Sequence, residues 1–134
     1  MRHLLYVHGL ASSPHSSKAQ LLARRLSAHG LTLHCPDLNA PDFSTLTTSR
    51  MISQVADELR ALPPAPTVLI GSSLGAFVAL HLAERVASGA IATPPIQQLV
   101  LLAPALDFGQ GEIGAAYGPD ARARWRASGW LEMM

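Results

Sequence analysis

Short apolar runs alternate along the chain with longer stretches in which apolar residues return every three or four positions. The runs suit buried strands and the stretches suit amphipathic helices. The first run, His3 to Val7, is closed by His8-Gly9 and a serine-rich loop, Leu10 to Ser17, that holds one proline. From about Lys18 to His29, Leu21, Leu22 and Leu26 recur at helical spacing. The serines before this stretch supply an N-cap, and Gly30 stands where a helix ends in a left-handed residue. Leu31 to Cys35 reads as a second strand stopped by Pro36-Asp37, and Leu38 to Leu46 as a polar loop. A second helix covers about Thr48 to Leu62, with Ile52, Val55, Leu59 and Leu62 on one face. Pro63-Pro64-Ala65-Pro66 ends it, because proline lacks the amide a helix needs. Thr67 to Ile70 is the third strand, followed by Gly71-Ser72-Ser73-Leu74-Gly75 and a helix to about Ala87. That helix turns Phe77, Val78, Leu82 and Val86 inward. Gln98 to Ala103 is the fourth strand, stopped by Pro104.

Such βαβαβαβ alternation predicts the α/β class: a doubly wound parallel sheet of about four strands with helices on both faces and right-handed crossovers. The 134 residues read as a single domain, large enough to bury a core, with residues 107–134 forming a loop and a helical tail. In that tail Trp125, and with it Trp130, is expected to anchor on the core. An apolar fraction of 49% against 14% charged residues agrees with strands buried on both faces.

Charge narrows the partners. Ten basic and nine acidic residues give a net charge of +1 with no cationic cluster, so no nucleic-acid partner is expected. The apolar start of the chain breaks off at His8-Gly9, too early for a signal peptide. No run reaches the roughly 18 apolar residues of a membrane span. The expected compartment is the cytoplasm. The lone cysteine, Cys35, excludes an internal disulfide and reads as a buried structural thiol. The six histidines show no pairing with Cys, Asp or Glu at metal-ligand spacing, so neither metal nor cofactor is expected.

The chemistry concentrates at Gly71 to Gly75. A serine hydroxyl is a poor nucleophile until the backbone presents it, and a sharp strand-to-helix turn does so at the end of a sheet. The helix that follows offers free amides and a partial positive charge to a developing oxyanion. Gly71 and Gly75 flank the tip, where larger residues would collide with the neighbouring strand and helix. A Gly-x-Ser-x-Gly run also arises by chance; its strand and helix flanks are what make it informative. A phosphate cradle is excluded, since no Gly-Lys-Ser/Thr run and no dinucleotide fingerprint is present.

Four segments together resemble the α/β-hydrolases, and within them the small YqiA-like esterases. They are Tyr6-Val7-His8-Gly9-Leu10 with the loop to Lys18, Cys35-Pro36-Asp37-Leu38, Leu69 to Ala76, and Leu101-Leu102-Ala103-Pro104-Ala105. The resemblance implies that Ser73 is the nucleophile, that the amides of Leu10 and Leu74 form the oxyanion hole, and that His8 and Gly9 shape the site. It implies small acyl esters or thioesters as substrates. In a doubly wound sheet the turns after strands one and three share the carboxyl edge, where ligands bind.

The rest of the family's machinery is missing from this stretch. In the family the acid and then the histidine follow the serine. After Ser73 comes only His81, about two turns (~12 Å) up the same helix, too far to reach the hydroxyl. Glu84 reads as a solvated surface charge. Asp107 follows strand four and reads as a loop or cap residue, with a catalytic acid as the lesser reading. His8 reads as a turn residue bonded to backbone, with a general base as the lesser reading, as is His15 on its loop. His3, His29 and His34 read as surface or strand residues. The four strands correspond to the central four of the resembling fold, so the chain is expected to be a truncated hydrolase. The last strand would then be a sheet edge open to self-association unless the tail covers it. The rival expectation is a non-catalytic α/β module that keeps the elbow, the sharp turn from Gly71 to Gly75, by descent.

Overall fold

The computed structural model describes residues 2–106 and, beyond them, 119, 120, 123 and 127. The expectations for the 107–134 tail, Asp107, Trp125 and Trp130 therefore lie outside the described residues. In chain order the elements are β1 (His3–Val7), α1 (Ser17–Ser27), β2 (Leu33–His34), a single 3-10 turn (Phe43–Thr45), α2 (Thr48–Ala61), β3 (Thr67–Ser72), α3 (Leu74–Ala87) and β4 (Ile96–Leu102). All strand pairings are parallel, in the order β2-β1-β3-β4. The chain leaves β1 for β2 on one side, then crosses back to set β3 on the other. The gap between β1 and β3 is therefore where the winding reverses, the place where open α/β sheets bind ligands.

Period-two alternation explains why both faces are buried. Leu5, Val7 and Leu69 point into one core with Ile52, Val55 and Leu59 of α2 and Val78 and Leu82 of α3. Leu4, Tyr6, Val68 and Ile70 point to the opposite face, against Ala19, Leu22 and Leu26 of α1. Leu5 and Leu69 are fully buried, and truncating either to Ala would remove about 2–5 kcal/mol of stability. Helices α1 and α2 begin at side-chain caps: Ser16 accepts the Ala19 amide at 3.2 Å and Thr47 accepts the Arg50 amide at 3.0 Å. Gly30, with φ 71°, follows α1 in the left-handed region that a side chain would strain.

Several boundaries differ from the sequence pattern. Strand two shrinks to Leu33–His34, because it lies at the sheet edge and pairs only with Leu4 and Leu5 of β1. β3 runs on to Ser72, since Gly71 and Ser72 pair with Leu101 and Leu102 of β4. The third helix starts immediately after Ser73. Leu21 is not a core residue of α1; it stands 46% exposed, and the buried stripe is Ala19, Leu22 and Leu26. A helical step of about 100° per residue carries Leu21 off that stripe.

Candidate active site

Residues 71 to 76 are all buried except one. Gly71, Ser72, Leu74, Gly75 and Ala76 are enclosed, and Ser73 is exposed. Its backbone lies at φ 55°, ψ −118°, a conformation that L residues rarely adopt. Neighbouring bonds hold it there. The Ser73 amide donates to Leu102 O at 3.0 Å, while Ser73 O accepts the amides of Ala76 and Ala105 at 3.1 and 3.2 Å. Ser73 occupies the N-cap position of α3, yet its side chain makes no capping bond. The hydroxyl stands clear of the helix it precedes.

Glycines allow this packing. A Cβ on Gly75 would sit 2.0 Å from Val7 O and 2.6 Å from His8 O, so α3 can start hard against the end of β1 only without a side chain there. A Cβ on Gly71 would sit 2.5 Å from Ala76 Cα. Gly9 lies against the tip itself: its Cβ position is 3.4 Å from Ser73 Cβ and 3.9 Å from the Leu74 nitrogen. Leu10, the next residue, begins a turn in which the Ser12 amide donates to Gly9 O at 3.2 Å. The Leu74 amide opens α3, where helix geometry leaves it without an intrahelical acceptor. The two turns at the winding reversal thus meet at Ser73, bringing together Gly9, Ser73 and Leu74, with Leu10 following Gly9 in the chain.

His8 is fully buried and uses both ring nitrogens on backbone. Nδ1–H donates to Gly9 O at 2.9 Å, and Nε2 accepts the Leu38 amide at 2.9 Å. This arrangement ties the turn after β1 to the loop after β2 and leaves neither nitrogen for a serine proton. Asp37 Oδ1 lies 3.9 Å from Nε2, beyond hydrogen-bond reach. His81 packs on Phe77 with ring centroids 4.1 Å apart, on α3 and away from the tip. His15 is exposed, with its amide on Ser13 Oγ at 3.1 Å. His3 reaches Pro63 O at 2.7 Å at the other end of β1, and its ring meets that of His34 edge-on. Glu84 is exposed. Among the described residues no histidine is bonded to the Ser73 hydroxyl.

Some residues at the site escaped the sequence reading. Arg50 of α2 gathers the loop after β2, donating to Thr45 Oγ1, to Asn39 O at 3.3 Å and to Asp42 O at 3.1 Å. Asn39 Nδ2 then reaches Ser12 O at 2.7 Å, fastening that loop to the turn beside Ser73. Ser72, beside the tip but pointing to the α1 face, accepts a hydrogen bond from Lys18 Nζ at 2.8 Å. The Tyr6 phenol is held above its ordinary pKa, chiefly by burial, while a hydrogen bond with Ser72 pulls the other way. Burial, with Asp37 nearby, pushes the Cys35 thiol up to about 11. That thiol stays protonated and inert near neutral pH. Side-chain bonds between residues far apart in sequence leave no mark on periodicity; only a lysine in the first turn of a helix that has no acid there hinted at one.

A parallel, doubly wound sheet with a strained serine turn at its winding reversal defines an α/β-hydrolase-like fold, present here in part. The chain belongs to UPF0227, described as an uncharacterised protein family, whose model matches residues 3–123. Three of the similar solved structures show the extent of the likeness. A protein from Agrobacterium vitis S4, provisionally named a hydrolase, is 26% identical with a TM-score of 0.77 over 99% of this chain. The mouse alpha/beta hydrolase domain-containing protein 10 is 17% identical, with a TM-score of 0.66 over 98% of this chain, and supports the fold alone. This chain spans about half the length of those two, 53% and 56% respectively. A protein of Xanthomonas campestris pv. campestris, provisionally assigned to the alpha/beta hydrolases, is 26% identical with a TM-score of 0.55; the match covers 90% of this chain and 82% of that one. No curated protein matches. No helix among the described residues is long and apolar enough to cross a membrane.

Proposed function

We propose that this chain carries the nucleophile and the oxyanion hole of a serine hydrolase acting on carboxylic esters or thioesters. The observation that carries the reading is the exposed Ser73, with a strained backbone and an uncapped side chain, beside the amide that opens α3. Its hydroxyl oxygen would attack the acyl carbonyl and give a tetrahedral oxyanion, which the amides of Leu10 and Leu74 would hold. Collapse would expel the alcohol or thiol and leave an acyl-serine, and water would release the acid. Each oxyanion donor of this kind contributes about 2.7–4 kcal/mol to the barrier reduction. His8 would shape the site rather than take the proton.

The engagement of His8, and the distance of His81 along α3, favour a base and an acid supplied from the half of the fold that the longer relatives possess and this stretch does not. The side of β4 that pairs with no strand among the described residues would receive that half, or a second copy of the chain. A non-catalytic module is the second reading, supported by the absence of a base bonded to Ser73 among the described residues. A cytoplasmic location accords with both. Hydrolysis of a small activated ester such as p-nitrophenyl acetate separates them. The proposal expects a rate above buffer that Ser73→Ala abolishes while its melting temperature is unchanged. Equal rates for the two proteins would favour the module. In the serine-protease template the oxyanion hole and binding alone sustain about 10³–10⁴-fold catalysis over water, so the residual rate is measurable.

A further inference from the structure

Lys18 is the one lysine of the chain; the other nine basic residues are arginines. It stands in the first turn of α1, behind the Ser16 cap, where no acidic residue accompanies it. A cation there opposes the helix dipole, whose positive end faces the same way, so local helix preference does not explain it. The ammonium is fixed by its bond to Ser72 Oγ at 2.8 Å. Ser72 is buried and adjoins Ser73, and consecutive Cα atoms are about 3.8 Å apart, so the charge is held at the nucleophile turn. An ammonium has three donors and no acceptor, and Ser72 engages one of them. Among the described residues Arg60 pairs with Asp57, Asp37 comes no nearer than 3.9 Å to His8, whose ring nitrogens are both used on backbone, and Lys18 joins neither contact. Asp37 instead accepts the Asn39 amide at 3.0 Å, and its carboxylate is largely in solvent.

An exposed cation, anchored to Ser72 beside the nucleophile and outside any ion pair among the described residues, is placed to meet an anion carried by the substrate. We propose that Lys18 is the recognition group for a carboxylate on the ester, so that this site takes monoanionic acyl esters in which a short spacer separates the carboxylate from the scissile carbonyl. A single ammonium matches one negative charge. A phosphate dianion would call for a second cation, and no other basic side chain is bonded at the turn among the described residues. Lysine suits the task because its compact charge fits beside the Ser72 hydroxyl, whereas a guanidinium needs a planar fork of acceptors. This inference rests on Ser73 as the nucleophile, but its test reads binding and needs no turnover.

The single lysine makes the experiment direct, because its ε-CH₂ group gives one NMR signal. In the Ser73→Ala protein, monomethyl glutarate is expected to shift that signal saturably and to bind at least about tenfold more tightly than the uncharged dimethyl glutarate. Raised salt should erode the preference. Lys18→Met should abolish it, and Lys18→Arg should retain part of it. Equal affinities, no saturable shift, or a preference that survives Lys18→Met would overturn the inference. If Lys18→Met does not fold, the two esters compared on the Ser73→Ala protein still decide. A carboxylate preference in a chain whose Ser73 never acylates refutes the nucleophile and spares Lys18. Acylation of Ser73 without the preference does the opposite.

Discussion

Two serines stand at the N-cap of a helix in this molecule, and they are used in opposite ways. Ser16 takes an ordinary extended conformation, φ −61° and ψ 152°, and its side chain accepts the Ala19 amide. Ser73 takes φ 55° and ψ −118° and caps nothing. One contributes to the stability of its helix, by roughly 1 kcal/mol for a cap of this type. The other withholds its hydroxyl from the helix and holds a conformation that costs of order 1–3 kcal/mol. The same residue type at the same helix position therefore serves structure in one place and chemistry in the other. The surroundings decide which. At Ser16 a loop on the surface relaxes into the cap, whereas at Ser73 two strands, a helix and two close glycine contacts leave the backbone no alternative.

The largest effect should come from removing what makes the second arrangement possible. Gly75→Ala would drive a methyl group into Val7 O and His8 O, both backbone atoms unable to swing aside. A loss of more than about 3 kcal/mol, or failure to fold, is expected in urea titration. The two serines should next respond with opposite signs. Ser16→Ala should destabilise by about 1 kcal/mol through the lost cap. Ser73→Gly should stabilise by about 1 kcal/mol, because glycine adopts that backbone without strain. Equal and unfavourable changes at both positions would erase the contrast.

The smallest expected effect concerns alkaline pH on the α1 face. The Cys35 thiol has its ordinary value of 9.0 raised to about 11 by burial and by Asp37. A raised value means that the unfolded chain ionises first. The stabilising contribution is therefore complete below about 9 and is lost as pH climbs through 11. The Tyr6 phenol, raised by burial, adds a loss of the same sign. Stability measured in urea should thus fall across this window, and Cys35→Ala should remove part of the fall. At pH 8 iodoacetamide should modify native Cys35 far more slowly than in the unfolded protein.

The comparison also explains what could be read in advance. Element order, parallel class and the burial of Val55, Leu59, Val78 and Leu82 follow from periodicity, because local patterning and tertiary packing agree there. The short edge strand Leu33–His34 and the exposed Leu21 depart from the apolar pattern for a physical reason: apolar content alone does not say which side of an element meets a neighbour. At the site, Gly9, Gly71, Gly75 and Ser73 are visible as a motif because backbone contacts demand those residue types. The bonds from Lys18 to Ser72, from Leu38 to His8 and from Asn39 to Ser12 are not visible, since each joins residues made neighbours only by the winding of the sheet. Sequence therefore points to the tip of the elbow more readily than to what surrounds it.

The most direct test of the central claim uses adjacency. Ser72 and Ser73 are chemically identical neighbours, one buried against α1 and one exposed at the tip. A fluorophosphonate probe followed by peptide mapping should give a single adduct, on Ser73, that vanishes in Ser73→Ala and persists in Ser72→Ala. No adduct at high probe concentration, or an adduct on Ser72, would contradict the account.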